Sequence, residues 1–401
     1  MFERNLDFDK IIERRNTDSL KYDFAVKRHR PADVLPLWVA EMDFRISSYI
    51  QDALVKQVEH GIYGYTDTLD DYYESVHGWF LRHHNFDIKE EWIIKTPGIV
   101  YALGMAVQAY TNVGEAVIIQ QPVYYPFSEV VRYNGRRLLS NNLVYDPVNN
   151  RYVIDFVDFE QKVESENVKL FLFCSPHNPV GRAWDKEELA QLLEICRRHG
   201  VIIFSDEIHC DFVWEKKHIV LASIAQDYQD HIITATSPSK TFNIPGLQVS
   251  NIIIPGTELR KVFQNAVNAS GYSQLNAVGL IATKAAYAYA EEWHAAVSEY
   301  IRSNIAFMRA YLKEYLPMLN MVEVEATYLP WVDCSGLGLS DRQLDELIIK
   351  EAHLWLDPGH IFGEGGHGYQ RFNAACPKSV LLQALSQLRE AIEKTEAGNE
   401  K

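Results

Sequence analysis

The chain has 401 residues, 47% apolar and 23% charged, which excludes wholesale disorder and, at roughly 100–200 residues per domain, leaves room for two or three domains. Lys and Arg number 39 against 54 Asp and Glu, a formal charge of −15 that argues against nucleic acid as a partner, because such affinity comes from clustered cations. Five irregularly spaced cysteines without a C-x-x-C pair point to neither a disulfide framework nor a zinc knuckle, and a cytoplasmic protein is expected.

The opening segment MFERNLDFDKIIERR mixes charges and lacks the apolar core of a secretory leader. No apolar run approaches the roughly 18–20 residues that span a bilayer, and the smoothest helical stretch, around Leu275–Ala290, carries Lys284. From about Glu91 to Pro255 short apolar runs alternate with helical periodicity. Strands are predicted at 92–96, 115–120, 168–174, 201–207, 231–237 and 249–255, each apolar throughout rather than alternating, as strands covered on both faces require. Helices are predicted at Ile99–Tyr110, Tyr125–Asn134 and Asp185–His199, the last opened by Asp185 and closed by Gly200. After about Asn276 long helical stretches run to Leu316. Strand-like VEVE (322–325) and YLPWVDC (328–334), a helix over Asp341–Glu351, a short LWLD run and a final helix near Lys378–Ile392 follow. The pattern predicts an α/β fold with a mostly parallel sheet, helices on both faces and a smaller α+β domain. Residues 46–285 form the large domain in this division, and 1–45 with 286–401 the small one. A ligand site is expected at the carboxyl ends of the strands.

Three strand ends carry chemistry. TATSPSKTFNIPG (234–246) places Lys240 just after a buried strand, where desolvation makes an amine reactive towards carbonyls, although a lysine in such a stretch is ordinarily a surface residue. VIIFSDEIHCDF (201–212) ends an apolar strand on Asp206 and Glu207, a position often used for helix capping. FCSPHNPVGR (173–182) turns around Asn178, and taken alone reads as a turn. Together they would deliver an amide, a carboxylate and an amine to one rim of a sheet. Pyridoxal phosphate needs that set, with a carboxylate against its ring nitrogen and a lysine for its aldehyde.

The sequence resembles fold-type I pyridoxal-phosphate enzymes of the aminotransferase class I/II group, and within it the MalY/PatB-type cystathionine β-lyases, or cysteine-S-conjugate C–S lyases. The resemblance rests on LPLWVAEMDF (35–44), HGIYGYT (60–66), EWIIKTPGIV (91–100), IQQPVYYPF (119–127), SPHNPVGR (175–182), SDEIHCD (205–211), SPSKTFNIPGLQ (237–248) and RFNAACP (371–377). It implies a seven-stranded sheet and a covalent bond between the cofactor and Lys240, which also serves as base for the substrate α-proton. Asp206 would pair with the pyridine nitrogen, Asn178 would donate to the ring oxygen, and Tyr124 would stack on the ring and line the substrate pocket. The backbone of Gly98, Ile99 and Val100 would hold the phosphate with Ser237 or Ser239, and Tyr65 would reach it from the other subunit of a homodimer. Arg371 would clamp the substrate α-carboxylate. His209 stands where many relatives have Tyr, beside the ring oxygen, and Gln248 where many have a phosphate-binding Arg.

Other signals point less clearly. Gly363, Gly365 and Gly368 spell a G-x-G-x-x-G, but the stretch leads into a strand-like run, so a flexible loop over the site is expected instead of a dinucleotide fingerprint. No metal-ligand spacing appears among the 14 histidines, and His83 and His84 read as surface residues. The reaction implied by the resemblance is α,β-elimination from an L-cysteine S-conjugate. Transamination is the alternative, and a regulatory role through a protein partner is a further one.

Overall fold

The structure, a computed structural model, describes residues 2–399. Seven strands form the main sheet, in spatial order Ile93–Thr96, Ser250–Ile253, Ile232–Thr236, Ile202–Asp206, Leu170–Cys174, Ala116–Ile119 and Arg137–Ser140. Every neighbouring pair is parallel except the two that involve Ser250–Ile253. The unbroken apolar runs follow from burial on both sides. Leu170, Leu172 and Cys174 pack on one face with the helix Ile99–Tyr110, while Phe171 and Phe173 pack on the other with Trp184 and Leu189.

The predicted helices fall at Ile99–Tyr110, Pro126–Tyr133 and Lys186–His199. Asp185 caps the last of these in a reciprocal box with Glu188, and Gly200 ends it in the left-handed region at φ 66°. Downstream, the helix Ala277–Tyr289 packs against Ser48–His60 and Asp70–His84, and the helices Glu291–Tyr315 and Lys378–Asn399, packed on each other, accompany a second, antiparallel sheet. Its order is Asn320–Met321, Trp331–Asp333, Tyr369–Arg371 and Asp357–Pro358. The N-terminal segment joins this region by pairing Leu35–Pro36 with Leu354–Trp355.

Two expectations are corrected here. VEVE (322–325) is not a strand, although Val322 and Val324 are buried as its alternation requires. Its backbone groups go to separate partners: the Val322 amide to Trp331 O, the Glu323 amide to Asn150 O, and Glu325 O to the Trp214 amide. The helix expected over Asp341–Glu351 is α-helical only to Glu346 and widens into a π-helix over Leu347–Glu351.

The G-x-G-x-x-G stretch opens no helix and runs into the strand Tyr369–Arg371. Nor does it hang free over the site as a flexible loop. Gly363 sits at φ 100°, and a Cβ there would overlap the Gln121 side-chain amide. Gly363→Ala therefore combines a conformation that L side chains rarely adopt with a clash. It is expected to lower stability by about 1–3 kcal/mol, measured as a shifted denaturant midpoint, and an unshifted midpoint would show that the loop is not seated on Gln121.

Candidate active site

Cys174 pairs with Asp206, and Asp206 with Ala235, so three parallel strands end at one level. Beyond those ends lie the turn that carries Asn178 and the helical turn Pro238–Thr241 that carries Lys240. They open onto a cavity of about 490 Å³ that Asn178, Asp206, Lys240, Gly98, Tyr124 and Arg371 line. Ile99, Val100, His209, Ser237 and Ser239 also face it, so the residues expected to meet do meet. Tyr65 does not; it is 98% exposed and lies outside the cavity of its own chain.

Charge in the cavity is held in unusual states. Burial, reinforced by Arg371, lowers the Lys240 amine to about 8, against the pull of Glu41 and Asp206. Its Nζ donates to the Ala40 carbonyl at 2.6 Å. Burial pushes the Asp206 carboxyl up to about 7, with Glu207 adding to the rise while the Ile208 amide and Lys240 oppose it. A carboxylate so buried, supported by one backbone amide, is suited to a cationic ring N–H. His209 is held neutral by its burial and by the cations Lys240 and Arg371, and its Nδ1 has no protein partner.

Asn178 Oδ1 accepts from Arg371 Nη1 at 3.0 Å, which leaves the amide hydrogens of Asn178 for another acceptor. Arg371 Nη2 donates to Trp38 O at 2.9 Å and to the Asp357 carboxylate, whereas its Nε, although buried, has no partner. At the other end of the cavity Gly98, at φ 109°, leads into the helix Ile99–Tyr110, whose first amides have no side-chain cap. Such amides with the helix dipole suit an anion. Ser237 Oγ donates to Val249 O at 2.7 Å and accepts from the Ser239 amide, so its one proton is committed. Ser239 is the hydroxyl better able to turn towards an anion.

An acid for a protonated ring, an amine for an aldehyde and an uncapped helix end for a phosphate thus surround one cavity, and two of its lining residues, His209 and Arg371, carry buried polar atoms without protein partners. The donor set fits pyridoxal phosphate. The family described as Aminotransferase class I and II matches residues 35–388. This chain belongs to that family. Among its relatives, cystathionine beta-lyase PatB of Bacillus subtilis is 41% identical over 388 residues, covering 96% of this chain and 100% of PatB. Protein MalY of Escherichia coli is 31% identical, covering 96% of this chain and 98% of MalY. The crystal structure of cystalysin from Treponema denticola, which contains pyridoxal 5'-phosphate, superposes with a TM-score of 0.93 at 35% identity, covering 97% of this chain and 99% of cystalysin. Pyridoxal phosphate is accordingly the cofactor of this aminotransferase-family chain.

His84 departs from the surface position expected of it. Its side chain is 5% exposed, and its Nε2 lies 2.8 Å from Asp211 Oδ1. Asp211 also accepts from Trp79 Nε1 at 3.0 Å and from Thr241 Oγ1 at 2.6 Å, and His84, with His294 and the Thr241 bond, holds its pKa well below the usual carboxylate range despite burial. The helix Asp70–His84 therefore turns its last histidine inward to a carboxylate that anchors the turn next to Lys240. Cys210 completes a cluster whose ligand atoms lie within 4.8 Å of one another. With both Asp211 oxygens taken and burial raising the Cys210 thiol, the cluster is built as an anchor.

The sequence singles out neither Ala40 nor Trp38, although both lie in WVAEMDF, nor Asp357, which ends the short LWLD run. All three line the cavity.

The raised pKa of Asp206 has a sign that can be tested. Its value of about 7 in the fold exceeds the roughly 3.9 of an unfolded chain. The stability it contributes is full below about pH 4 and is lost as pH rises through about 7. In the cofactor-free chain, wild type is expected to lose more urea resistance than Asp206→Asn between those limits. Parallel pH profiles would refute the assignment.

Proposed function

We propose that this protein is a pyridoxal-phosphate-dependent carbon–sulfur lyase that cleaves L-cystathionine or another L-cysteine S-conjugate to pyruvate, ammonia and a thiol. The observation that carries the reading is the meeting of Lys240, Asp206 and Arg371 in one buried cavity, in a chain similar along its whole length to a cystathionine β-lyase. Bound there, pyridoxal phosphate supplies an aldehyde for the substrate amine and a protonated ring that accepts electron density from the substrate α-carbon.

The protein's own groups divide the work. Asp206 would keep the proton on the ring nitrogen. Asn178 would donate its side-chain amide to the ring oxygen, with the neutral imidazole of His209 nearby, and Tyr124 would cover the ring face. The amides of Ile99 and Val100 after Gly98, with Ser239 and the supporting Ser237, would hold the phosphate. Arg371 receives the substrate α-carboxylate, a task suited to a planar fork already oriented by Asn178 and Asp357. Lys240, with an amine near 8, is substantially neutral at mildly alkaline pH and can take the α-proton onto Nζ. The Cβ–S bond then breaks with its electron pair on sulfur, and the thiolate leaves. The remaining three-carbon fragment hydrolyses to pyruvate and ammonia.

Residues 46–285 would form the cofactor-binding domain, with 1–45 and 286–401 as the smaller unit. The active assembly would be a homodimer in which Tyr65 reaches the phosphate of the neighbouring subunit. Exposed Val58, Ile62, Tyr63 and Leu69 on the same stretch support such an interface. Five free, buried cysteines support a reducing cytoplasm. Among the described residues no helix is long and apolar enough to cross a membrane.

Purified enzyme is expected to be yellow and to release pyruvate from cystathionine faster than it exchanges amino groups with a 2-oxo acid. Lys240→Ala should lose about a hundred- to ten-thousand-fold in turnover and fail to retain cofactor after borohydride. Transamination outpacing pyruvate release would establish an aminotransferase instead.

A further inference from the structure

The acceptor of the Lys240 amine is a backbone carbonyl, and the structure shows how that carbonyl is aimed. Residues 38–44 form an irregular strap, of which Trp38, Val39 and Ala40 line the cavity. Within it the Glu41 amide bonds back to Val39 O at 2.8 Å, making a tight turn centred on Ala40. Asn373, wholly buried just beyond Arg371, places its side-chain nitrogen 2.6 Å from Val39 O and 2.7 Å from Glu41 O. Both amide hydrogens are thus spent on the carbonyls either side of Ala40. Asn373 Oδ1 accepts from the Ala375 amide at 2.8 Å, which fixes the orientation of the side chain. The Ala40 carbonyl is left to face the cavity, where Lys240 Nζ at 2.6 Å and Tyr328 Oη at 3.1 Å share it.

We propose that Asn373 is a positioning residue for Lys240: by holding the carbonyls of Val39 and Glu41 it aims the Ala40 carbonyl at Nζ and thereby sets both the place and the basicity of the amine. A carbonyl oxygen accepts more strongly from an ammonium than from a neutral amine, so this acceptor favours the protonated form. It acts among other groups that face Lys240. Asp206 and His209 approach from the strand Ile202–Asp206 and the turn after it, Arg371 from Tyr369–Arg371, Glu41 from the strap, and Tyr328 from ahead of Trp331–Asp333. Burial and Arg371 lower the amine, while Glu41 and Asp206 raise it. Asn373 changes none of these charges; it changes where one dipole points. The other end of the strap is tied separately, by Asn243 to the Met42 amide and to the carbonyls of Met42 and Phe44. That second tie offers a control for strap attachment alone.

The test follows the rate at which an amine-specific acylating reagent labels Lys240 in the cofactor-free full chain across pH, read by mass spectrometry of the Lys240 peptide. Wild type should show a midpoint near the value of about 8. In Asn373→Ala the midpoint should fall by about one pH unit, with Asn243→Ala unchanged. The loaded Asn373→Ala enzyme should lose kcat while KM for cystathionine stays close to wild type. An unchanged or raised midpoint in Asn373→Ala, or an equal shift in Asn243→Ala, overturns the proposal. Should Asn373→Ala not fold, Tyr328→Phe decides: it removes the competing donor from the Ala40 oxygen and should move the midpoint upward, and any other result overturns the proposal. The inference rests on Lys240 being the amine that binds the cofactor. Borohydride fixation at Lys240 tests that reading, while the labelling midpoint, which needs no cofactor, tests this one.

Discussion

Asp206 stands level with Cys174 on one neighbouring strand and with Ala235 on the other, and the rest of the site is built outward from that alignment. Parallel strands in register leave the sheet together, so the chain segments that follow them begin from one rim. The turn after Cys174 brings Asn178 and the turn after Thr236 brings Lys240 to the same cavity that Asp206 enters directly. A slip of one residue in the central strand would turn Asp206 away and send Ser205 towards the cofactor face. Ser205 instead points to the opposite side, where its hydroxyl donates to Glu207.

Behind that rim the polar groups are paired in a way that stiffens it. Glu207 is wholly buried and accepts from Ser205, from the Leu221 amide and from His218 Nε2 at 2.6 Å. Asp211 collects Trp79, His84 and Thr241. The carboxylates within and just after the Asp206–His209 turn, Glu207 and Asp211, are thus held by different parts of the chain, one of them the helical turn of Lys240. Hydrogen bonds to buried charged groups contribute more than neutral ones and are costly to leave half made. The site consequently sits on a scaffold that resists relaxation when charge moves within the cavity.

Much of this was legible in the sequence, for physical reasons that differ by element. Strands buried on both faces must be apolar throughout, so Leu170–Cys174 and Ile202–Asp206 stood out. Asn178, Asp206 and Lys240 could be found because polar residues directly after such runs have a cavity or solvent as their only neighbours. The strap carries the motif WVAEMDF, yet its contribution is a backbone carbonyl, which no residue letter records. Asp357 escaped notice because its partner Arg371 is distant in the chain and meets it only through an antiparallel pairing. His84 was misread because its burial depends on how far the helix Asp70–His84 tilts inward, and the VEVE run because alternation reports which side chains are buried, not whether the backbone has a neighbouring strand.

All five cysteines are free and buried, and burial raises their thiols well above the usual range. Cys174 even borders the cavity in which the proposed lyase reaction would release its thiolate. Thiolate character governs disulfide exchange, so side chains kept as SH do not attack passing disulfides. If the proposed lyase reaction releases a thiol, disulfides formed from that thiol by an outside oxidant would find no thiolate here to exchange with.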